Sequence, residues 1–517
     1  MTNPELVHLR GDAPRRGSLR GTTACVAADH PLAASAGVQV LLEGGSAADA
    51  AVAMAAVMVV VQPQYSHLGG DVFALVYDAR SKVVRALNSS GPAPASASAD
   101  EYRLTGGIPD TGAMAVTVPG CVAGWWELHR REGRMPWEEL LRPAIRFARS
   151  GFPASRGLAR AVPVGRDRVR PREAFEATWG HISGDGGQQV VQPVLADTLA
   201  AIAAGGQWAF YDGVVRDHCL EALGAGGAVF APGDWRPPAR WEAPLDTAFA
   251  GHRVYTQPPP SRGLVLLRAL QSLATRLAPG SLAPAPVEGL TAIRSAFGEA
   301  DAAAGDPDVT GFDARAFLAS PPASHQMATG SDGDTTYLLA IDADGNAVSL
   351  IQSIFAPWGS GLLVPATGIL MNNRMDGFTL EPGHPNVLAA GKRPMHTLHC
   401  YMATTRDGSL ALVGGTPGAH RQPQTNLQVL DAILRRGSDP QDALDAPRWG
   451  MGRHSRAVDV EYRAPGELDA LFRSAGMTVE RRAAWDGLTG RAYVARVGGG
   501  AIAAAADMRG EGQAVAW

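Results

Sequence analysis

Apolar and polar positions follow two different periods along this chain, and the change from one to the other divides it. In the first part, apolar runs carry helical spacing. Residues 31–42 read as a helix closed by Gly44-Gly45, and Ser46 stands where a side-chain oxygen can cap the next helix, 47–60. Residues 72–78 and 83–87 read as strands, and the small residues of 89–99 suit a loop or a close backbone approach. Helical spacing returns over 121–131, over 137–150 with Pro143 expected to kink or interrupt it, and over 195–204. Pro258-Pro259-Pro260 sets a turn before a helix at 264–278, and 279–287, rich in Pro and Ala, reads as an exposed connection.

Residues 319–333 are small or polar and without period, the pattern of a linker. Period-two alternation then takes over. Residues 336–341 and 347–354 flank Asp342-Ala343-Asp344-Gly345-Asn346, a hairpin turn, and 398–404 and 410–413 flank Arg406-Asp407-Gly408. A further helix is expected over 426–435. Helices mixed with strands, followed mostly by strands, predict an α/β (α+β) protein whose sheets are sandwiched by helices.

Composition narrows the function. A chain of 517 residues with 46% hydrophobic content has ample material for large cores. A net charge of -4 points neither to nucleic acid nor to an anionic membrane. Cys25, Cys121, Cys219 and Cys400 are far apart and form no CxxC pair, which argues against a disulfide scaffold or zinc ribbon. No His/Cys/Asp cluster has ligand spacing, so no metal or organic cofactor is expected. Residues 1–20 read as a loose, arginine-bearing arm without the apolar segment of a signal peptide. The longest apolar run, 50–61, is too short to span a bilayer, and the cytoplasm is the expected location.

Candidate chemistry lies where the linker meets the first hairpin strand, at Gly333-Asp334-Thr335-Thr336-Tyr337. A cut before Thr335 frees an α-amino group beside its hydroxyl, placing nucleophile and base on one residue. A threonine pair opening a strand also follows from β propensity alone.

The surrounding motifs favour the chemical reading. In order they are Gly44-Gly45-Ser46-Ala47-Ala48-Asp49-Ala50, Leu68-Gly69-Gly70-Asp71, Val118-Pro119-Gly120 with Gly124, Phe210-Tyr211-Asp212-Gly213 and Pro258-Pro259-Pro260-Ser261. After Thr335 come Asp344-Gly345-Asn346, Gly359-Ser360-Gly361, Asn372-Asn373-Arg374-Met375-Asp376, Lys392-Arg393-Pro394 and Gly415-Thr416-Pro417-Gly418. From about residue 27 to the C-terminus the chain resembles the gamma-glutamyltransferase family of N-terminal-nucleophile hydrolases. The resemblance implies a four-layer αββα sandwich and self-cleavage between Asp334 and Thr335. It also implies that a large-subunit part (21–334, after the arm) and a small-subunit part (335–517) stay together around a shared core. Thr335 then serves as nucleophile and, through its α-amino group, as base. Gly418 and Ala419 supply backbone N–H groups to the oxyanion, where the family usually has two glycines. Thr336 matches a second family threonine and Ser353 a supporting one, with plain strand residues as the alternative for both. Asn372 and Asn373 match family positions but are equally turn formers.

The positions that would recognise glutamate depart from the family. Ser90 stands in place of the arginine that holds the α-carboxylate, Phe355 replaces an asparagine, Arg374 a glutamine, Gly377 an acid, and His396-Thr397 a serine pair. One cation and one anion of the zwitterion clamp are gone, and gamma-glutamyl transfer is therefore not expected. Arg374 and His396 directed into the site instead favour a small acidic substrate such as an oxalyl compound, cleaved at an amide or an activated C–C bond, in amide catabolism or antibiotic biosynthesis. The alternatives are that Arg374 pairs with Asp376 or a distant acid, that His396 only packs, and that Phe355 and Trp358 belong to the core rather than narrowing the site. Two competing functions stand beside this one: a gamma-glutamyltransferase with a rearranged clamp, and an unprocessed, non-catalytic relative that binds a small acid or a partner.

Overall fold

The computed structural model describes residues 17–278, 280–322, 335–451 and 457–517. Most of the expected arm, most of the 319–333 linker and Asp334 lie outside the described residues.

Two seven-stranded antiparallel sheets stack face to face. The first runs, edge to edge, Gln513–Ala516, Cys25–Ala28, Thr336–Ile341, Ala347–Ser353, Asp71–Asp78, Val83–Ser89 and Arg240–Glu242. The second runs Leu19–Gly21, Ala501–Ala506, Tyr493–Gly498, Leu410–Gly415, Cys400–Thr404, His252–Thr256 and Leu245–Phe249. In both, strands from before and after residue 335 are interleaved. Phe73, Leu75, Tyr337, Leu339, Ile351, Met402, Val413 and Tyr493 fill the space between the sheets. Helices Pro31–Leu42, Ala47–Val61, Cys121–Glu132 and Trp137–Ser150 cover the outer face of the first sheet, and Gly263–Arg276, Pro286–Ala303 and Gln422–Leu430 that of the second. The result is the αββα sandwich. No helix of the described residues is long and apolar enough to cross a membrane.

Local chemistry explains the elements closest to the site. The all-buried helix Ala47–Val61 starts with a capping box: Ser46 Oγ accepts from Asp49 N at 3.2 Å, and Asp49 Oδ2 accepts from Ser46 N at 2.9 Å. The helix packs against Leu338, Ala340, Val348 and Leu350 of the first sheet. Asp342 organises the hairpin turn, its Oδ1 accepting from Asp344 N and Asn346 N, both at 3.0 Å, with Gly345 at φ 82°. Its Oδ2 accepts from Ala47 N at 3.1 Å, tying the hairpin to the start of that helix.

Two expectations are corrected. Pro143 does not end its helix, which continues to Ser150. The helix expected from Asn426 begins at Gln422, because Pro423 falls in its first turn, where a missing N–H costs no helical hydrogen bond. A widened π turn, Asp431–Arg435, follows it. The earlier start places Gln422 against Thr335.

Candidate active site

Thr335 is 1% exposed and immediately precedes the strand Thr336–Ile341. Thr336 lies opposite Gln352, so the register extended by one residue sets Thr335 opposite Ser353. Ser353 in turn lies opposite Asp71. Directly opposed residues share a face, and the alternation through Tyr337, Ile351 and Phe73 shows which: the face toward the second sheet. Thr335, Ser353 and Asp71 therefore form one rung across three adjacent strands, at the end of the inter-sheet space. Thr336 faces the other way, its Oγ1 donating to Gln352 O at 3.3 Å.

The chain leaves the sheet abruptly after Ser353. Ser353 Oγ accepts from Phe355 N at 2.7 Å, and Phe355 and Trp358 take φ of 80° and 66°, a region bulky residues rarely adopt. Trp358 does not narrow the site. It packs against Phe175 and Trp179, and its Nε1 donates to Ala161 O at 2.9 Å. The Phe355 ring instead lies under the Arg374 guanidinium, 4.5 Å from its centroid.

Arg374 is fully buried, and its acid partner is Asp71, Nε to Oδ2 3.3 Å. Asp71 Oδ1 accepts from Gly91 N at 3.0 Å. Among the described residues, Nη1 and Nη2 of Arg374 have no hydrogen-bond partner, nor has either ring nitrogen of the buried His396, which meets Phe73 edge-on at 5.1 Å. Burial pushes the Asp71 carboxyl up to about 6 and Arg374 down to about 10. Burial, with the Arg374 charge second, holds His396 well below the usual histidine range and hence neutral. Both the distant-acid pairing of Arg374 and the packing of His396 are thus present, and both side chains keep unspent polar atoms.

Ser90 turns back on its own strand, Oγ donating to Asn88 Oδ1 at 2.7 Å, while its carbonyl accepts from Arg393 Nε at 3.0 Å. Asn372 braces the loops: its Oδ1 accepts from Thr117 N and Arg374 N, both at 3.0 Å, and its Nδ2 donates to Gly69 O at 2.7 Å. Asn373 Oδ1 accepts from Ala356 N at 2.9 Å. Gly377 closes the single 3-10 turn that begins at Arg374.

On the second sheet, Gly415 lies under the Tyr337 ring and leads into the turn Thr416-Pro417-Gly418-Ala419. Thr416 Oγ1 donates to Pro417 O at 2.7 Å and Arg421 N to Gly418 O at 2.9 Å, which leaves the N–H groups of Gly418 and Ala419 out of both bonds. Gly418 has φ 124° and Ala419 φ 49°. The second value is left-handed, costs an alanine about 1–2 kcal/mol, and accounts for glycine as the ordinary residue at this position.

Several residues of the site carry no local sequence signal. Gln422 Nε2 donates to Thr335 Oγ1 at 3.5 Å, and Gln422 Oε1 accepts from His399 N at 3.2 Å. His399 Nδ1 lies 3.0 Å from Thr397 O and Nε2 3.1 Å from Asn426 Nδ2, contacts that the Nδ1–H tautomer satisfies together. Burial lowers His399 to about 4, keeping it neutral. Thr397 thus enters through its main chain. Arg491 Nη2 donates to Thr335 O at 3.2 Å and to Asp29 Oδ2 at 3.1 Å. Two cavities of about 590 and 660 Å3, one beside the Asp342 hairpin and one between Leu427 and Trp449, do not include Thr335.

A model of the family described as gamma-glutamyltranspeptidase matches residues 33–517. The glutathione hydrolase-like YwrD proenzyme of Bacillus subtilis is 34% identical over 526 residues, covering 96% of this chain and 99% of that protein. The oxamate amidohydrolase proenzyme of Klebsiella pneumoniae is 33% identical over 520 residues, covering 95% and 98%. The crystal structure of a cephalosporin acylase from Bacillus halodurans superimposes with a TM-score of 0.90 at 30% identity, covering 100% of this chain and 99% of that one.

Proposed function

The chain belongs to the gamma-glutamyltranspeptidase family and is an enzyme of its hydrolase type, and from this premise we propose that it is a self-processing N-terminal-threonine hydrolase acting on a small, carboxylate-bearing acyl substrate. One observation carries the reading. The rung Asp71–Ser353–Thr335 aligns the nucleophile with a buried arginine whose two terminal nitrogens are unspent among the described residues.

Thr335 Oγ attacks the preceding carbonyl, that of Asp334, and the resulting ester hydrolyses to leave Thr335 with a free α-amino group. In turnover the amine, whose ordinary pKa is about 8, accepts the hydroxyl proton as Oγ attacks the substrate carbonyl. The N–H groups of Gly418 and Ala419 receive the oxyanion, and loss of such a donor costs about 3 kcal/mol. The C–N bond then breaks, the leaving amine takes the proton, and water releases the acid from the Thr335 ester. Thr336 anchors the strand and Ser353 braces the turn beside the nucleophile.

Arg374 Nη1 and Nη2 donate to the substrate carboxylate, with neutral His396 as a further polar contact. Strands lie about 4.8 Å apart, so Asp71 and Thr335 are separated by only about 10 Å, which suits a short acyl group. An oxalyl amide meets this requirement, and the oxamate amidohydrolase of Klebsiella pneumoniae is among the relatives. The same acyl-enzyme forms from an activated C–C bond next to a carbonyl, the departing carbon taking the electron pair and the proton held by the amine. Gamma-glutamyl hydrolysis is the second reading, suggested by the Bacillus subtilis relative's name. It has to supply a new anion for the glutamyl amino group, since Gly377 offers none.

The test is direct competition. Oxamate and a gamma-glutamyl anilide are offered to the processed protein, with intact mass read on the fragment that begins at Thr335. Oxalate formation and an acyl adduct on that fragment are expected. Anilide release without oxalate overturns the substrate class.

A further inference from the structure

We infer that Arg491, held by Asp29, is the positioning residue that fixes the Thr335 main chain after cleavage; the inference rests on the N-terminal-threonine reading above. Thr335 lies at the outer end of its rung with Ser353 and Asp71, one residue beyond the paired positions of the ladder it shares with Ser353. Pairing with Ala347–Ser353 begins at Thr336, and pairing with Cys25–Ala28 only at Leu338. Cleavage removes the covalent tether on the N-terminal side, and a strand-end residue without one frays. Arg491 meets Thr335 there, its Nη2 donating to Thr335 O at 3.2 Å.

The guanidinium is itself aimed by Asp29 and Tyr65. Its Nε lies 3.2 and 3.3 Å from the two oxygens of Asp29, and its Nη2 lies 3.1 Å from Oδ2. Its Cζ lies 5.0 Å from the centre of the Tyr65 ring. Asp29 is fully buried and is held in turn: Tyr493 Oη donates to its Oδ1 at 2.6 Å, and its own N–H donates to Tyr337 O at 3.3 Å. Arg491 leads into a strand of the second sheet, whereas Asp29 follows a strand of the first, in the part of the chain before the cut. The clamp therefore spans the sandwich and both fragments. A guanidinium suits this task because its planar fork engages a carboxylate and a carbonyl at once. Arg491 holds the Thr335 carbonyl and Asp29 aims Arg491, so their effect is on where Oγ points.

Misplacing a nucleophile by about 1 Å costs on the order of 100-fold in rate. Arg491→Met in the full chain is expected to lower kcat by about 10- to 100-fold at a KM within about twofold of wild type. Arg491→Lys is expected to recover part of kcat, and Asp29→Asn, which leaves Arg491 in place but loosens its aim, to lie between the two. Cleavage is followed on denaturing gels and unfolding by circular dichroism for each variant. An Arg491→Met chain that stays uncut overturns the inference, since Arg491 is then needed for cleavage rather than after it. A cut, folded Arg491→Met protein with wild-type kcat overturns it, as does a loss confined to KM. Wild-type protein that is never cut at Thr335 refutes the N-terminal-threonine reading itself, which separates the two failures.

Discussion

Gln422 aims its side-chain amide at the Thr335 hydroxyl, Nε2 to Oγ1 3.5 Å, from the first residue of a helix on the opposite sheet. Its carbonyl oxygen is engaged by His399 N, so the amide cannot flip without losing that bond. A donor on Oγ leaves the hydroxyl's own proton free to point at the α-amino group. Gln422→Leu is expected to lower kcat about tenfold, the worth of one hydrogen bond of roughly 1–1.5 kcal/mol, with little change in KM. Steady-state kinetics on folded, cut protein check this; unchanged kcat removes Gln422 from the mechanism.

Thr335→Ala is expected to leave one full-length chain on a denaturing gel and no turnover. Thr335→Ser keeps an oxygen nucleophile and is expected to cut, more slowly. Intact mass of the C-terminal fragment decides, since any other first residue moves the cleavage site.

Ala419→Gly is expected to stabilise the protein. It relieves the left-handed strain at φ 49° and gives back part of the gain as backbone entropy, for a net of about 0.5–1 kcal/mol. Differential scanning calorimetry at one scan rate should show a higher transition temperature with activity retained, and a lower one contradicts the strain argument.

Asp71 gives the site a pH dependence whose sign can be worked out. Its carboxyl is raised by burial to about 6, so the folded state holds the proton more tightly than the unfolded chain does. Its contribution to stability is full below the ordinary carboxyl range and is lost as pH rises through about 6. Protonation also removes the anion that occupies Arg374 Nε, leaving the guanidinium to the substrate. KM for oxamate is expected to fall as pH is lowered from 7 to 5, with an inflection near 6 that Asp71→Asn abolishes. A flat KM profile for the parent protein rules out a shared Arg374.

The legible parts of the molecule were those set by neighbours in the chain. The Ser46 cap, the Asp342 turn and the alternation on either side of it are written within a few residues. The site is not. Arg374 and Asp71 are 303 positions apart, Arg491 and Asp29 462, and Gln422 and Thr335 87, and nothing local couples them. The helix that carries Gln422 starts four residues before the expected Asn426, with Pro423 in its first turn, where a proline fits. The aromatic pair after Ser353 looked alike in sequence, yet the turn sends Trp358 into the helical layer and Phe355 under Arg374. Several of the family motifs record a local backbone need, such as Gly120, where a Cβ would collide with Ser89 O.

With the cut before Thr335 proposed above, the interleaving of strands from either side of it makes the order of folding and cutting irreversible in practice. An intact chain can regain both sheets by itself, as a unimolecular process. Once divided, the same sheets reform only when two separate polypeptides find each other, at a rate that depends on concentration and competes with aggregation through exposed strand edges. The cut protein's durability is then a matter of how slowly it opens rather than of an equilibrium it can return to.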